Sequence, residues 1–597
     1  MRFWSQTVLA SLSVASCIAI IPVGARAQTV ATVGTDGSSD AQLRRLYEDD
    51  WAWREQQGLT RGARGSGAAL PKVDPTTQQQ RLAHWDEVLS RLDAIAPDAL
   101  SAEERINAAV LREVAQAAAS NIRFRTYERP FNADTFFWSG LNPLTGGFAT
   151  AEDYRAYIAR MRDIPRYFDE QGANMRAGLA RGFTVPRIAA TGREETMRGF
   201  LPADRTNAFW TAFDAMPGSI PAAEQQALRQ EGEAAIRDSV APAYAKLHAF
   251  MVDEYLPAAT KAIGARELPG GPEFYQAQIR SFTTLDLTAE EIHAIGLAEV
   301  ARIRAEMERV RAEAGFEGDL SAFMEFLRTD PQFEAKTPYE LLAKSSYVVK
   351  RMDSRLGEFI GFLPRKRHGI VPVPPALAPI FTGGRGGIDN CMMNTYNLPA
   401  RRLYTLPALT IHECTPGHSL QGAIAQEAQR RPAFRRAAGF SGYGEGWALY
   451  WEWLAGQIGI YETPYEEFGQ LTYEMWRAAR LVIDTGIHHY GWSREQAQSY
   501  LRDNAALADH EITTEIDRYI AWPGQALAYK LGEMLIRRKR EEAQEALGPA
   551  FDERNFHDAI LALGEVPLPV LEARLDQFIA DGGQLPAGWN PALPEAG

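Results

Sequence analysis

Residues 411–421 read IHECTPGHSLQ and place two imidazoles, His412 and His418, around one carboxylate, Glu413. These are the groups that bind and use a divalent metal: imidazole nitrogens ligate it, and a neighbouring glutamate takes a proton from water. Ligands four residues apart on a helix differ by about 40° around its axis and share a face, whereas a six-residue separation gives about 120°. His412 and His418 are six apart. Two ligands so divergent cannot both reach one zinc ion at about 2.0–2.1 Å. A shared metal therefore requires the helix to break. Pro416 has no N–H to give the His412 carbonyl, and Gly417 accepts backbone angles closed to other residues. A bulge over Cys414–Gly417 would swing His418 back beside His412. The plainer alternative is a His-Glu pair at a helix end, followed by a Pro-Gly turn.

Residues 444–452 read GEGWALYWE. Gly444 and Gly446 leave room for close approach. Trp447, Leu449, Tyr450 and Trp451 call for burial, and a buried carboxylate needs a partner. Glu445 thus completes a His412, His418, Glu445 set for one zinc per chain, with the fourth position left to water. Cobalt or manganese suits the same donors. Glu452 lies two turns on, placed to accept from a ligand imidazole. A surface glutamate on an aromatic-rich helix is the alternative for Glu445.

Together with ARLVIDTGIHHYGW and RYIAWPGQALAYKLGE, these motifs resemble a bacterial family of unknown function, DUF885, from about residue 40 to the C-terminus. That family resembles the gluzincin-type zinc metallopeptidases, with a mostly helical fold similar to the oligopeptidases. The resemblance implies His412, His418 and Glu445 as zinc ligands and Glu413 as general base. It also implies Tyr519 and Tyr529 as phenols near the metal. Ser419 departs from it, since family members often carry histidine there.

Further polar residues are candidates for the reaction. Arg480, Asp484 and His488 follow at i, i+4 and i+8. Asp484 would pair with Arg480 or orient His488, and His488 would donate to the developing oxyanion; the alternative is a packing histidine. His489 points elsewhere and reads as structural. Arg518 suits a peptide carboxylate. Core packing is the competing role for Tyr529.

The elements that must position these groups read as helices. Leu43, Leu46, Tyr47 and Trp51 recur at helical spacing over Asp40–Trp53, and 152–180 and 221–257 look similar. Thr288-x-x-Glu291 is a capping box that opens a helix to about Ala314. The Pro- and Gly-rich stretch 361–387 reads as a mobile loop, without the Lys-Ser/Thr of a phosphate loop. Ile388–Leu398 is the strand candidate. As an edge strand it would pair with an extended peptide, with Asn394 and Tyr396 facing the cleft. The expected fold is mostly α: two helical lobes around a cleft, a small β-sheet near the active site, and a lobe boundary near 340–380.

At 597 residues and 46% hydrophobic, the chain can bury a large core. Its net charge of −13 gives no electrostatic reason to bind nucleic acid. Arg2, an apolar run from Val8 to Val23 and Ala25-Arg26-Ala27 read as a signal peptide cleaved after Ala27. In a Gram-negative producer the mature chain would be periplasmic. Lipidation at Cys17 is the lesser alternative. Residues 28–39 read as a flexible lead-in and 40–597 as the catalytic domain, with no later membrane span. Cys391 and Cys414 are the remaining cysteines, and a bridge between them is not expected. The combined expectation is a secreted zinc metallopeptidase acting on short peptides. The alternatives are a zinc amidase acting on cell-wall peptides and a metal-retaining peptide-binding protein without turnover.

Overall fold

The structure, a computed structural model, describes residues 38–60, 69–142, 148–375, 377–427 and 431–585. The expected signal peptide, Cys17 and nearly all of 28–39 lie outside them. Four long helices open the chain: α1 (Ser39–Gln56), α2 (Pro75–Asp93), α3 (Ala102–Arg123) and α4 (Ala151–Arg181). The first buries Leu43, Leu46 and Tyr47, the stripe its sequence predicts, and the Ser38 side chain caps it through Ala41 N–H. The 221–257 segment is helical but interrupted by π-helical turns at Ile236–Val240 and Met251–Tyr255. α5 (Gly271–Thr283) precedes α6 (Ala289–Glu313). The capping box of α6 forms as read: Glu291 N–H donates to Thr288 Oγ1, and Thr288 N–H to Glu291 Oε2.

After α7 (Pro338–Arg355) comes a three-stranded sheet of β1 (Gly369–Pro372), β2 (Gly384–Arg385) and β3 (Asn390–Met393). Its order is β1-β3-β2, with β1 parallel and β2 antiparallel to β3. Two sequence expectations change here. The 361–387 stretch supplies two of the strands and is not simply a loop. The expected strand 388–398 shortens to four residues and lies in the centre. Both of its edges are already paired, so β3 has no free edge to offer a peptide.

The remaining helices that build the site are α8 (Leu406–Glu413), α9 (His418–Glu427), α10 (Ser441–Gln457), α11 (Pro464–Thr485), α12 (Asp509–Ala521) and α13 (Ala528–Leu547). The mostly α architecture is as expected. Buried apolar side chains gather in two large clusters. One includes Tyr157 on α4, Ile303 on α6 and Val482 on α11. The other joins Leu43 and Leu111 to Trp447, Trp451, Ile560 and Leu571. Because that second cluster takes residues from both ends of the chain, a cut near 340–380 would divide it. Among the described residues no helix is long and apolar enough to cross a membrane.

Glycine lets α10 and α13 approach closely. A Cβ on Gly446 would lie 2.6 Å from the Gly532 carbonyl carbon, and one on Gly532 would lie 1.9 Å from the Gly442 oxygen. Gly446 therefore makes room for a helix rather than for Glu445 itself.

Candidate metal centre

α8 stops at Glu413 because Cys414 adopts φ −101° and ψ −104°, outside the helical region. The chain then crosses a cis Thr415–Pro416 bond and re-enters a helix at His418. Two wide backbone bonds close the bulge, Gly417 N–H to Ile411 O at 3.1 Å and Leu420 N–H to Cys414 O at 3.3 Å. The Pro416 carbonyl, left without a helical partner, accepts from Trp447 Nε1 of α10 at 2.9 Å. A Cβ on Gly417 would sit 1.8 Å from the His412 oxygen. Glycine is required there by contact, since its φ is not left-handed.

The bulge turns both imidazoles to one point. The ring centroids are 4.8 Å apart and nearly perpendicular. Glu445 Oε2 lies 3.4 Å from His412 Nε2 and 3.2 Å from His418 Nε2. A tetrahedral ion with bonds of about 2.0–2.1 Å holds its ligand atoms about 3.3 Å apart, so the donor set fits zinc. These three residues form the one such cluster of metal-type donors among the described residues. Burial opposes their charged forms, but mutual attraction prevails. Hydrogen bonds to Glu445 and Glu452 lift His412 to about 9. Glu445 raises His418, and the two imidazoles hold Glu445 well below the usual carboxylate range.

Supporting contacts orient these side chains. Glu452, fully buried, meets His412 Nδ1 at 2.7 Å and leaves Nε2 facing the cluster. Arg477 Nη2 lies 3.4 Å from the same Glu452 oxygen. Glu413 Oε2 accepts from Gly386 N–H at 2.7 Å, next to β2. A Cβ on Gly386 would fall 2.6 Å from that of His418, so this glycine lets the loop reach the site. Ser419, where the resemblance has histidine, fastens the same loop: it accepts from Gly387 N–H and donates to the Glu413 carbonyl. The unexpected Cys391–Cys414 bridge ties β3 to the bulge, with a Cα separation of 5.5 Å. Sequence distance gave no hint of it, because the sheet brings the two cysteines together.

The cluster opens on a cavity of about 320 Å³. Of the other candidates, Arg480, Arg518 and Tyr529 line it. His488 does not. Its Nδ1 accepts from Ala265 N–H at 3.0 Å, so the proton is on Nε2, which donates to the Tyr519 carbonyl at 2.9 Å. Both nitrogens are engaged in packing, and burial pushes its pKa down to about 4. Asp484 pairs neither with Arg480 nor with His488: it accepts from Tyr275 Oη at 2.6 Å and from Gly524 N–H at 3.1 Å. Burial raises it to about 7. Tyr519 stands behind the cavity wall, its hydroxyl accepting from Arg480 Nε and Trp476 Nε1 at 2.8 Å each. Asn394 is buried and donates to the carbonyls of Ala378, Phe381 and Thr382, which shapes the loop before β2. Tyr396 is half exposed and outside the lining. Arg477, Trp476 and Glu515 also line the cavity but carry no motif that would have marked them, and Gln525 lines it from within the RYIAWPGQALAYKLGE motif without having been singled out.

The sequence matches the family model described as a bacterial protein of unknown function, DUF885, over residues 53–575. The chain belongs to the DUF885 family. No curated protein matches it. Among solved structures, this DUF885 chain is similar to a candidate lipoprotein from Colwellia psychrerythraea. The TM-score is 0.82 at 26% identity, covering 91% of this chain and 100% of that one. It shares the fold of a candidate lipoprotein of unknown function from Shewanella oneidensis, with a TM-score of 0.65 at 18% identity over 90% and 99% of the two chains.

Proposed function

We propose that this DUF885 chain is an exported zinc-dependent metallopeptidase that hydrolyses short peptides. The observation that carries the reading is the convergence of His412 Nε2, His418 Nε2 and Glu445 Oε2 at tetrahedral spacing, with Glu413 next in sequence to the first ligand. His412, His418 and Glu445 would hold the ion, which supplies Lewis acidity and acidifies water when bound. Glu413 takes the proton from the attacking water and delivers it to the leaving amine. The Gly386 N–H fixes one Glu413 oxygen, leaving Oε1 for that transfer. Tyr529, on the cavity wall, is a donor available to the developing oxyanion. Export is supported by the N-terminal signal pattern and by the Cys391–Cys414 bridge, a feature of oxidising compartments. It is also in keeping with the lipoprotein description of the two structural relatives.

Metal analysis and cleavage mapping of a peptide library test the reading. Purified protein should carry close to one zinc per chain. Glu413→Gln should keep the zinc and lose hydrolysis. Hydrolysis retained in that variant would remove Glu413 from its role, and protein that binds no zinc would end the metallopeptidase account.

A further inference from the structure

The cavity that holds the His412, His418 and Glu445 cluster is also lined by guanidinium groups that the proposed hydrolysis leaves without a task. Arg480 on α11 is 2% exposed and lies over the rings of Trp476 and Tyr529, at 4.5 and 4.2 Å from their centroids. Its Nε donates to Tyr519 Oη at 2.8 Å and its Nη2 to Glu515 at 3.0 Å. Its Nη1 is buried and has no acceptor. Arg518 on α12 donates through Nη2 to Gln525 at 2.6 Å and to Tyr529 Oη at 3.2 Å, and reaches the same Glu515 oxygen at 3.4 Å. Its Nε also lacks an acceptor, with Asp134 Oδ2 outside bonding distance at 3.8 Å.

We propose that Arg480 and Arg518 form a subsite for the free α-carboxylate of a peptide, so that substrates are read from their carboxyl end. One carboxylate, Glu515, serves both guanidiniums, and each retains an N–H that buried donors rarely leave unpaired. A planar carboxylate offers two oxygens to such donors. Arg480 is held in place by two aromatic faces and by Tyr519, so its orientation is set before substrate arrives. The cavity also bears Glu413, Glu445, Glu511 and Glu515. A dianion such as phosphate would be repelled by those acids more strongly than the single charge at a peptide terminus. An amino terminus would face the guanidiniums with like charge. The hydrolytic half of this inference rests on the proposed function; the carboxylate subsite does not.

The probe is a random N-acetylated tetrapeptide library, prepared both as free acids and as C-terminal amides. Binding is measured by calorimetry on zinc-loaded Glu413→Gln protein, and cleavage by mass spectrometry on zinc-loaded wild type. Free acids should bind about tenfold or more tighter than amides, as expected for a charge-assisted contact. Adding Arg480→Gln should erase that preference, and Arg480→Lys should restore part of it. Equal binding of acids and amides, or a preference that survives both Arg480→Gln and Arg518→Gln, overturns the subsite. Amides cut as readily as acids would likewise overturn it while leaving the peptidase reading intact. Preferential binding of acids with no cleavage by wild type would keep the subsite and sink the peptidase. Should Arg480→Gln fail to fold or to hold zinc, Arg518→Gln carries the test, because its side chain is 17% exposed and makes no bond to Tyr519 or Trp476.

Discussion

Glu452 gives the sharpest test of the proposed metal site. Glu452→Gln keeps the side-chain volume but removes the charge that faces His412 Nδ1 at 2.7 Å and Arg477 Nη2 at 3.4 Å. A hydrogen bond to a charged group contributes about 1.5–3 kcal/mol, against about 1 kcal/mol for a neutral pair. The amide oxygen can still accept from Nδ1, so about 0.5–2 kcal/mol is lost at that bond. The imidazole also becomes less basic towards a metal on Nε2. Outer partners of this kind are typically worth about 10–100-fold in metal affinity. Zinc affinity should therefore fall at least tenfold, as read by competition with a chelator of known affinity. Arg477 would lose a buried counter-charge. It stacks on Tyr473 and Trp476 at 4.6 and 4.3 Å and lines the cavity, so the cost is below the roughly 3–5 kcal/mol of a fully broken buried pair. Thermal unfolding of apo protein measures that part separately. Zinc affinity within twofold of wild type, in a variant that remains folded, would refute the view that Glu452 acts through His412.

Gly417→Ala should abolish zinc binding and destabilise the fold by more than about 3 kcal/mol, since backbone must move to admit a Cβ 1.8 Å from an oxygen; metal content and denaturant titration check it. Replacing Cys391 and Cys414 with serine opens a loop that spans 23 residues of sequence. Loop entropy predicts a loss of about 3 kcal/mol, and an unchanged denaturation midpoint would exclude a stabilising role. His488 is held neutral, with its pKa near 4 against about 6.5 when unfolded. Its contribution is complete above pH 6.5 and is lost as pH falls towards 4, by about 3 kcal/mol in all. His488→Gln should flatten stability over that window in pH-dependent unfolding, and an unaltered slope would contradict the buried neutral imidazole.

The local chemistry of the site was legible in the chain itself. His412, Glu413 and His418 lie within seven residues, and their awkward spacing, with a proline and a glycine inside it, already demanded a bulge. Glu445 and Glu452 were legible because carboxylates among tryptophans must have partners. The same reasoning misled at Asp484 and His488. Helical spacing says which residues share a face, but not which face meets the cavity. α11 is buried on nearly all sides and passes into a π-helical turn at Gly486–Tyr490. That turn gives His488 to Ala265 and Tyr519 instead of to the site. Asn394 and Tyr396 misled for a related reason: the strands that pair both edges of β3 lie in the Pro- and Gly-rich stretch 361–387, which carries no strand pattern of its own.

What the sequence by itself determined is the mostly helical class, the candidate pair His412 and His418 and the break at 414–417 between them, because each follows from spacing within a turn or two of chain. Only the tertiary structure decided the Cys391–Cys414 bridge, the Gly386 contact to Glu413 and which arginines face the cavity. Those depend on elements distant in the chain packing against one another, and no local periodicity records where such partners will lie.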